Sequence, residues 1–188
     1  MERPSVRHRS RGVSLLELVS SLAILGFVVA ATAGLYVAGQ RSHFRARYYS
    51  DAQTTIRRAL RDLTRTTRMA ESVLAKGTTG TLNGQTTGAS QLVLRLQSSP
   101  SVVECRYYVA NGVLYKQTSA DAAPGTPLLS GVVSLTFNYY TTLAGTRSSA
   151  SANPAKASEV EIVLRARSGT VTTGLTAYVT IRQVVAGS

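Results

Sequence analysis

Hydrophobic positions along the chain follow three successive rules. From Leu18 to Gly39 the residues are apolar, small or hydroxylic and none is charged, so as a helix this stretch would be uncharged on every side. Crossing a bilayer takes about 20 such residues, which the stretch supplies. From Phe44 onward the apolar residues thin to a stripe, with Phe44, Tyr48, Ala52, Ile56, Leu60, Leu63, Thr67, Ala70 and Leu74 spaced three and four apart. That spacing predicts an amphipathic helix lying on a core. No proline or glycine falls between Gln40 and Lys76, so the two halves read as one helix from Val13 to about Ala75, stopped at Lys76-Gly77 by a cation and a following glycine.

Beyond the helix the period drops to two. Leu92, Leu94 and Leu96 alternate in the run from Gln91 to Gln97, and Val102 to Val109 is followed by Asn111-Gly112 and then Val113 to Thr118. Asn-Gly between two such runs predicts a hairpin. Val132 to Tyr140 reads as a strand with Val133, Leu135, Phe137 and Tyr139 on one face. Glu159 to Arg167 reads as another, with Val160, Ile162 and Leu164 inward, paired with Leu175 to Val184 across Ser168 to Gly174. The stretches 78–90, 119–127 and 143–158 are rich in Gly, Thr, Ser, Ala or Pro and read as loops, the second hairpin signal being Asn83-Gly84 in the first of them and the last being exposed and mobile. The fold class is therefore α+β: a long N-terminal helix, membrane-spanning in its first half, packed on a C-terminal antiparallel β-sheet.

Charge alters this picture at one point. Glu17 stands at the head of the uncharged run, behind a leader, MERPSVRHRSRG, that carries Arg3, Arg7, Arg9 and Arg11. A carboxylate in hydrocarbon costs about 2.5 to 3.5 kcal/mol on insertion scales and is normally kept for a partner. The leader ending in Arg11-Gly12, then Val13 and SLLELV with Glu17 fifth after the glycine, resembles the class III signal of type IV pilins and pseudopilins. The resemblance implies cleavage after Gly12 by a prepilin peptidase, methylation of the new N-terminus at Val13, and pairing of Glu17 with the terminal amine of a neighbouring subunit. Two buried charges that meet only at one stagger would fix the register between helices.

Downstream, RALRDLTR from Arg58 to Arg65, then VVECRYYVANGVLYKQT, PLLSGVVSLTFNYY, EVEIVLRAR and TAYVTIRQV occur in an order similar to that of PilW-type minor pilins and J-type pseudopilins of type II secretion. Four segments follow: a cleaved basic leader over 1–12, a transmembrane and assembly helix over 13–40, the amphipathic half of that helix over 41–76, and a β-sheet domain over 77–188. The resemblance implies a minor pilin-like subunit of a pilus serving DNA uptake, motility or adhesion, or a pseudopilin. It places the chain in the inner membrane with the C-terminal domain outside the cytoplasm, and then in a filament. Its implied partners are other pilins through helix bundling, the peptidase, an inner-membrane assembly platform, and lipid before assembly. Other readings stay open: a secretory signal cut near Ala31-Thr32-Ala33, a plain single-pass anchor, and a membrane-anchored adhesive or DNA-binding domain that never polymerises.

The remaining chemistry is sparse. The net charge of +12 falls to +9 once the leader, with four arginines and Glu2, is removed. Only two histidines are present, His8 and His43, and no phosphate-cradling glycine motif, so neither a catalytic constellation nor a metal or cofactor site is expected. Cys105 is the single cysteine, which excludes an intrachain disulfide and suits a small buried hydrophobe. Arg57, Arg61, Arg65 and Arg68 fall four, four and three apart and form a basic row on the helix. Such a row could neutralise nucleic-acid phosphates; it is more often a solvated face, with Arg58 free to pair with Asp62 at i and i+4.

Overall fold

A computed structural model describes residues 14–98, 101–143, 146–150 and 153–181. The first helix, α1, runs from Leu15 to Met69 without interruption. The chain divides into two compact units, Met1–Phe44 and Arg45–Ser188. In the first, the described residues are all exposed, from Leu15 at 82% to Phe27 at 77%, and α1 is long and apolar enough there to cross a membrane.

In the second unit α1 contributes a buried stripe of Ala52, Ile56, Ala59, Leu63, Thr66 and Thr67. Phe44 and Tyr48, expected on that stripe, remain exposed. The helix also ends at Met69 rather than at Lys76-Gly77, because Ala70–Val73 leaves it to form strand β1. Thr64, Thr66 and Thr67 weaken the last helical turns. Pairing of Ala70, Ser72 and Val73 with Leu96, Arg95 and Leu94 offers the backbone an alternative, extended by the Leu74 N–H donating to the Val93 carbonyl at 2.9 Å. Sheet pairing prevails over helical spacing there.

The strands form two antiparallel sheets where one was expected. The first joins β1, β2 (Gln91–Ser98), β3 (Ser101–Ala110), β4 (Val113–Thr118) and β5 (Thr126–Ser130) in sequence order. The second has the order β7 (Thr146–Ser149), β6 (Val132–Leu143), β8 (Glu159–Ser168) and β9 (Val171–Thr180). Asn111 and Gly112 turn β3 into β4 with φ of 50° and 71°, the positive pair that a tight Asn-Gly hairpin requires. Leu92, Leu94, Cys105, Tyr107, Phe137, Tyr139, Val160, Ile162 and Leu164 meet Ile56 and Leu63 in one core.

Several local expectations change. A register shift between Val132 and Ser134 puts Val132 in the core and leaves Val133 58% exposed, so the inward face begins at Leu135. The β8–β9 hairpin turns at Gly169-Thr170, and β9 starts at Val171 rather than Leu175. Thr126–Ser130 is a strand where the loop was expected to run to Pro127. The stretch 143–158, expected to be an exposed loop, holds β7, a 3-10 turn at Pro154–Lys156 and two buried alanines, Ala150 and Ala157. Its small residues let backbone approach backbone: Ala150 N–H donates to Tyr139 O at 2.7 Å and Ser158 N–H to Tyr140 O at 2.9 Å.

The four sheet edges differ. β1 and β7 are each four residues long and carry Glu71 and Arg147, while β5 contains Pro127. Short length, charge and proline all discourage a further strand. β9 is ten residues long and has neither charge nor proline.

Candidate functional site

Two regions of α1 gather the functional candidates. At its start, Gly12 and Val13 lie outside the described residues. The helix opens with the Leu18 N–H donating to Ser14 O at 3.1 Å, which places Glu17 in the first turn, where the free N–H groups favour a negative charge. Ser20 and Ser21 hydroxyls donate to the Glu17 carbonyl at 3.0 and 2.7 Å, satisfying local hydroxyls within the apolar run. The Glu17 carboxylate itself has no partner among the described residues. Beyond it, ideal Cβ atoms at Gly26, Gly34 and Gly39 would meet nothing within 4 Å. These bare glycines and the exposed Leu22, Leu25 and Phe27 form an apolar surface that lipid or other helices must cover.

Farther along, Arg57, Arg61, Arg65 and Arg68 line one shallow depression together with Leu60 and Met69. All four guanidinium side chains are exposed. At about 100° per residue the row lies nearly opposite the buried stripe of Ile56, Ala59 and Leu63. The ion pairs among the described residues are Lys116–Asp62 at 3.1 Å and Arg147–Glu159 at 3.0 Å, so none of the row's arginines has a carboxylate. Arg57 reaches only Gln53, at 3.4 Å.

Asp62 does not pair with Arg58. It accepts from the Tyr107 hydroxyl at 2.8 Å and from Lys116 Nζ at 3.1 Å, with Thr66 Oγ1 2.8 Å from the same phenol. Burial pushes the Tyr107 phenol well above its ordinary value, so it stays protonated and can donate. This cluster ties α1 to β3 and β4. Asp62→Ala is expected to cost about 1 to 2 kcal/mol in a denaturant titration, while Arg58→Ala should change stability by less than about 0.5 kcal/mol.

Two acidic sites were not legible beforehand. Glu104 is fully buried and accepts from Thr78 N–H at 2.9 Å, Thr79 N–H at 3.0 Å and Thr78 Oγ1 at 2.6 Å. Burial pushes its carboxyl up, but the Thr78 hydroxyl and the Thr79 and Thr78 amides together outweigh it and hold the group below the usual carboxylate range. Gly77 allows this approach, since a Cβ there would stand 2.3 Å from Leu82 O. The neighbouring Cys105 is buried as expected, and burial pushes its thiol up to about 12, which makes it inert.

Glu161 accepts from Tyr140 OH and Asn138 Nδ2, both at 3.0 Å. Hydrogen bonds from Tyr178, then from Asn138 and Tyr140, with Arg147 nearby, outweigh burial and hold its carboxyl below the usual range. Arg147 stacks 3.7 Å from the Tyr140 ring centroid and pairs with Glu159. Glu159 and Glu161 are thus each tied into the outer face of the second sheet.

The architecture is that of a pilin-like fold, a long N-terminal helix followed by antiparallel sheets. The family model for the prokaryotic N-terminal methylation motif matches residues 7–33. The chain therefore carries a type IV pilin-like class III signal peptide, with Gly12, Val13 and Glu17 inside the matched span. No curated protein matches the chain. The motif supports a pilin- or pseudopilin-like role, membrane anchoring, processing by a prepilin peptidase and assembly with other pilins.

Proposed function

We propose that the chain is a minor pilin-like structural subunit, not an enzyme, which is trimmed after Gly12 and joins a type IV pilus or related filament through its N-terminal helix. The observation that carries this reading is Glu17: a carboxylate in the first turn of α1 with no partner among the described residues, heading an uncharged stretch exposed on all sides. In lipid that carboxylate is costly. Beside the amine of a processed neighbour it gains a partner, and only one axial stagger brings the two together. The apolar run then exchanges lipid for other helices, and the sheet domain selects which subunit lies alongside. Energy for assembly comes from other proteins.

The direct test is the mass of the mature N-terminus in its own host. A chain beginning at methylated Val13 is expected; a leader retained after membrane insertion, or a cut near Ala33, would overturn the reading. Deleting the chain then separates the two kinds of filament. Loss of surface filaments or DNA uptake with export intact assigns it to a pilus. Loss of export with filaments intact assigns it to a type II secretion pseudopilus.

A further inference from the structure

The arginine row breaks a local rule. Like charges four apart on a helix destabilise it by about 0.2 to 0.5 kcal/mol per pair, and Arg57, Arg61 and Arg65 make two such pairs in series, with Arg68 three residues farther on. No described carboxylate relieves them. A row that weakens its own helix while facing away from the core is explained by something outside the chain.

A second copy cannot supply what the row lacks. Of nine acidic residues, Glu2 lies in the leader and Glu17 in the apolar run. Asp62 is held by Lys116 and Tyr107, and Glu104 is buried. Asp121 is bound by Thr118, Glu159 by Arg147, and Glu161 by Asn138 and Tyr140. Asp51 and Glu71 remain, too far apart in sequence to form a row. Two copies meeting at this face would set guanidinium against guanidinium.

The flanks of the row distinguish a protein from a polyanion. Met69 on one side is 58% exposed, and Leu60 on the other is half-buried. These apolar shoulders suit a packed helix and offer nothing to a phosphodiester backbone. Arg57, Arg61 and Arg65 rise about 6 Å per step along the axis at about 1.5 Å per residue, the same step as carboxylates four apart on a parallel helix. We propose that this face of α1 docks a different subunit through a helix bearing a matching row of Asp or Glu, and that it excludes a second copy of this chain. The inference rests on the filament reading and names the kind of neighbour that reading requires.

The test uses the full chain in its host, with a photo-crosslinking amino acid at Thr64, which lies within the row. The expected adduct is with another pilin-like chain, mapped to a carboxylate-bearing helix. It should fall about tenfold with Arg57→Glu, Arg61→Glu and Arg65→Glu combined, and less with Gln at the same positions. Because these side chains are exposed, an unchanged melting temperature of the purified variant establishes that it still folds. An adduct with a second copy, an adduct with nucleic acid, or no adduct in a sample processed at Gly12 would overturn the inference while leaving the filament reading intact. An unprocessed N-terminus in the same sample would overturn both.

Discussion

Glu17→Ala should reach the membrane at least as well as the original chain yet be lost from the filament fraction, by about tenfold or more. Removing the carboxylate relieves an insertion cost whose helix-centre upper bound is about 2.5 to 3.5 kcal/mol, so an effect on insertion alone would run the other way. What the substitution removes is the charge that meets a neighbour's amine, and a partner left alone in a low-dielectric bundle costs about 3 to 5 kcal/mol. Glu17→Gln keeps the shape and a hydrogen-bond acceptor and should lie between the two. Membrane fractionation followed by shearing of surface material separates the steps. Normal incorporation of the alanine variant would contradict the assigned role.

Glu104→Ala is expected to destabilise the sheet domain by about 3 kcal/mol or more, the largest single effect away from the hydrophobic core. The carboxylate satisfies two backbone N–H groups and one hydroxyl. Its loss leaves those part-buried donors without their charged acceptor, at about 1 kcal/mol or more each. The pH dependence carries a definite sign. The folded-state carboxyl is held below its ordinary value of 4.5, so its contribution is fully present above the unfolded-state value and is lost as pH falls through the folded one. Thermal melts should therefore show the original chain losing stability below about pH 4.5 faster than Glu104→Gln. Equal acid sensitivity in the two would remove Glu104 from the account.

What the sequence reveals about this protein follows from how local each signal is. Asn111-Gly112 needs only its own backbone freedom, and Val160, Ile162 and Leu164 need only the strand period, so the β3–β4 hairpin and the buried face of β8 are readable in advance. The end of α1 is not, because Ala70 and Val73 suit the helical stripe and leave it only to pair with β2, whose residues lie more than 20 positions away. Glu104 occupies the outward parity of β3, and only the chain around Thr78 and Thr79 closes over it. Val133 is displaced by a register shift that no residue in Val132 to Tyr140 announces. At the functional sites, Glu17 was legible as an anomaly and the arginine row as a spacing. That the row pairs with no described carboxylate is visible only in the folded chain, where the ion pairs are Lys116–Asp62 and Arg147–Glu159.

The open edge of β9 bears on abundance. Strand addition between copies requires two molecules, so its rate grows with the square of their concentration. A chain made in bulk would be under pressure to place a lysine or a proline in Val171–Thr180, as β5 carries Pro127 and β7 carries Arg147. Ten uncharged residues along an edge that no described strand covers suit the proposed role, in which copies of the chain rarely meet. Among the described residues β9 is thus the sheet edge least protected against pairing with a second copy of the chain.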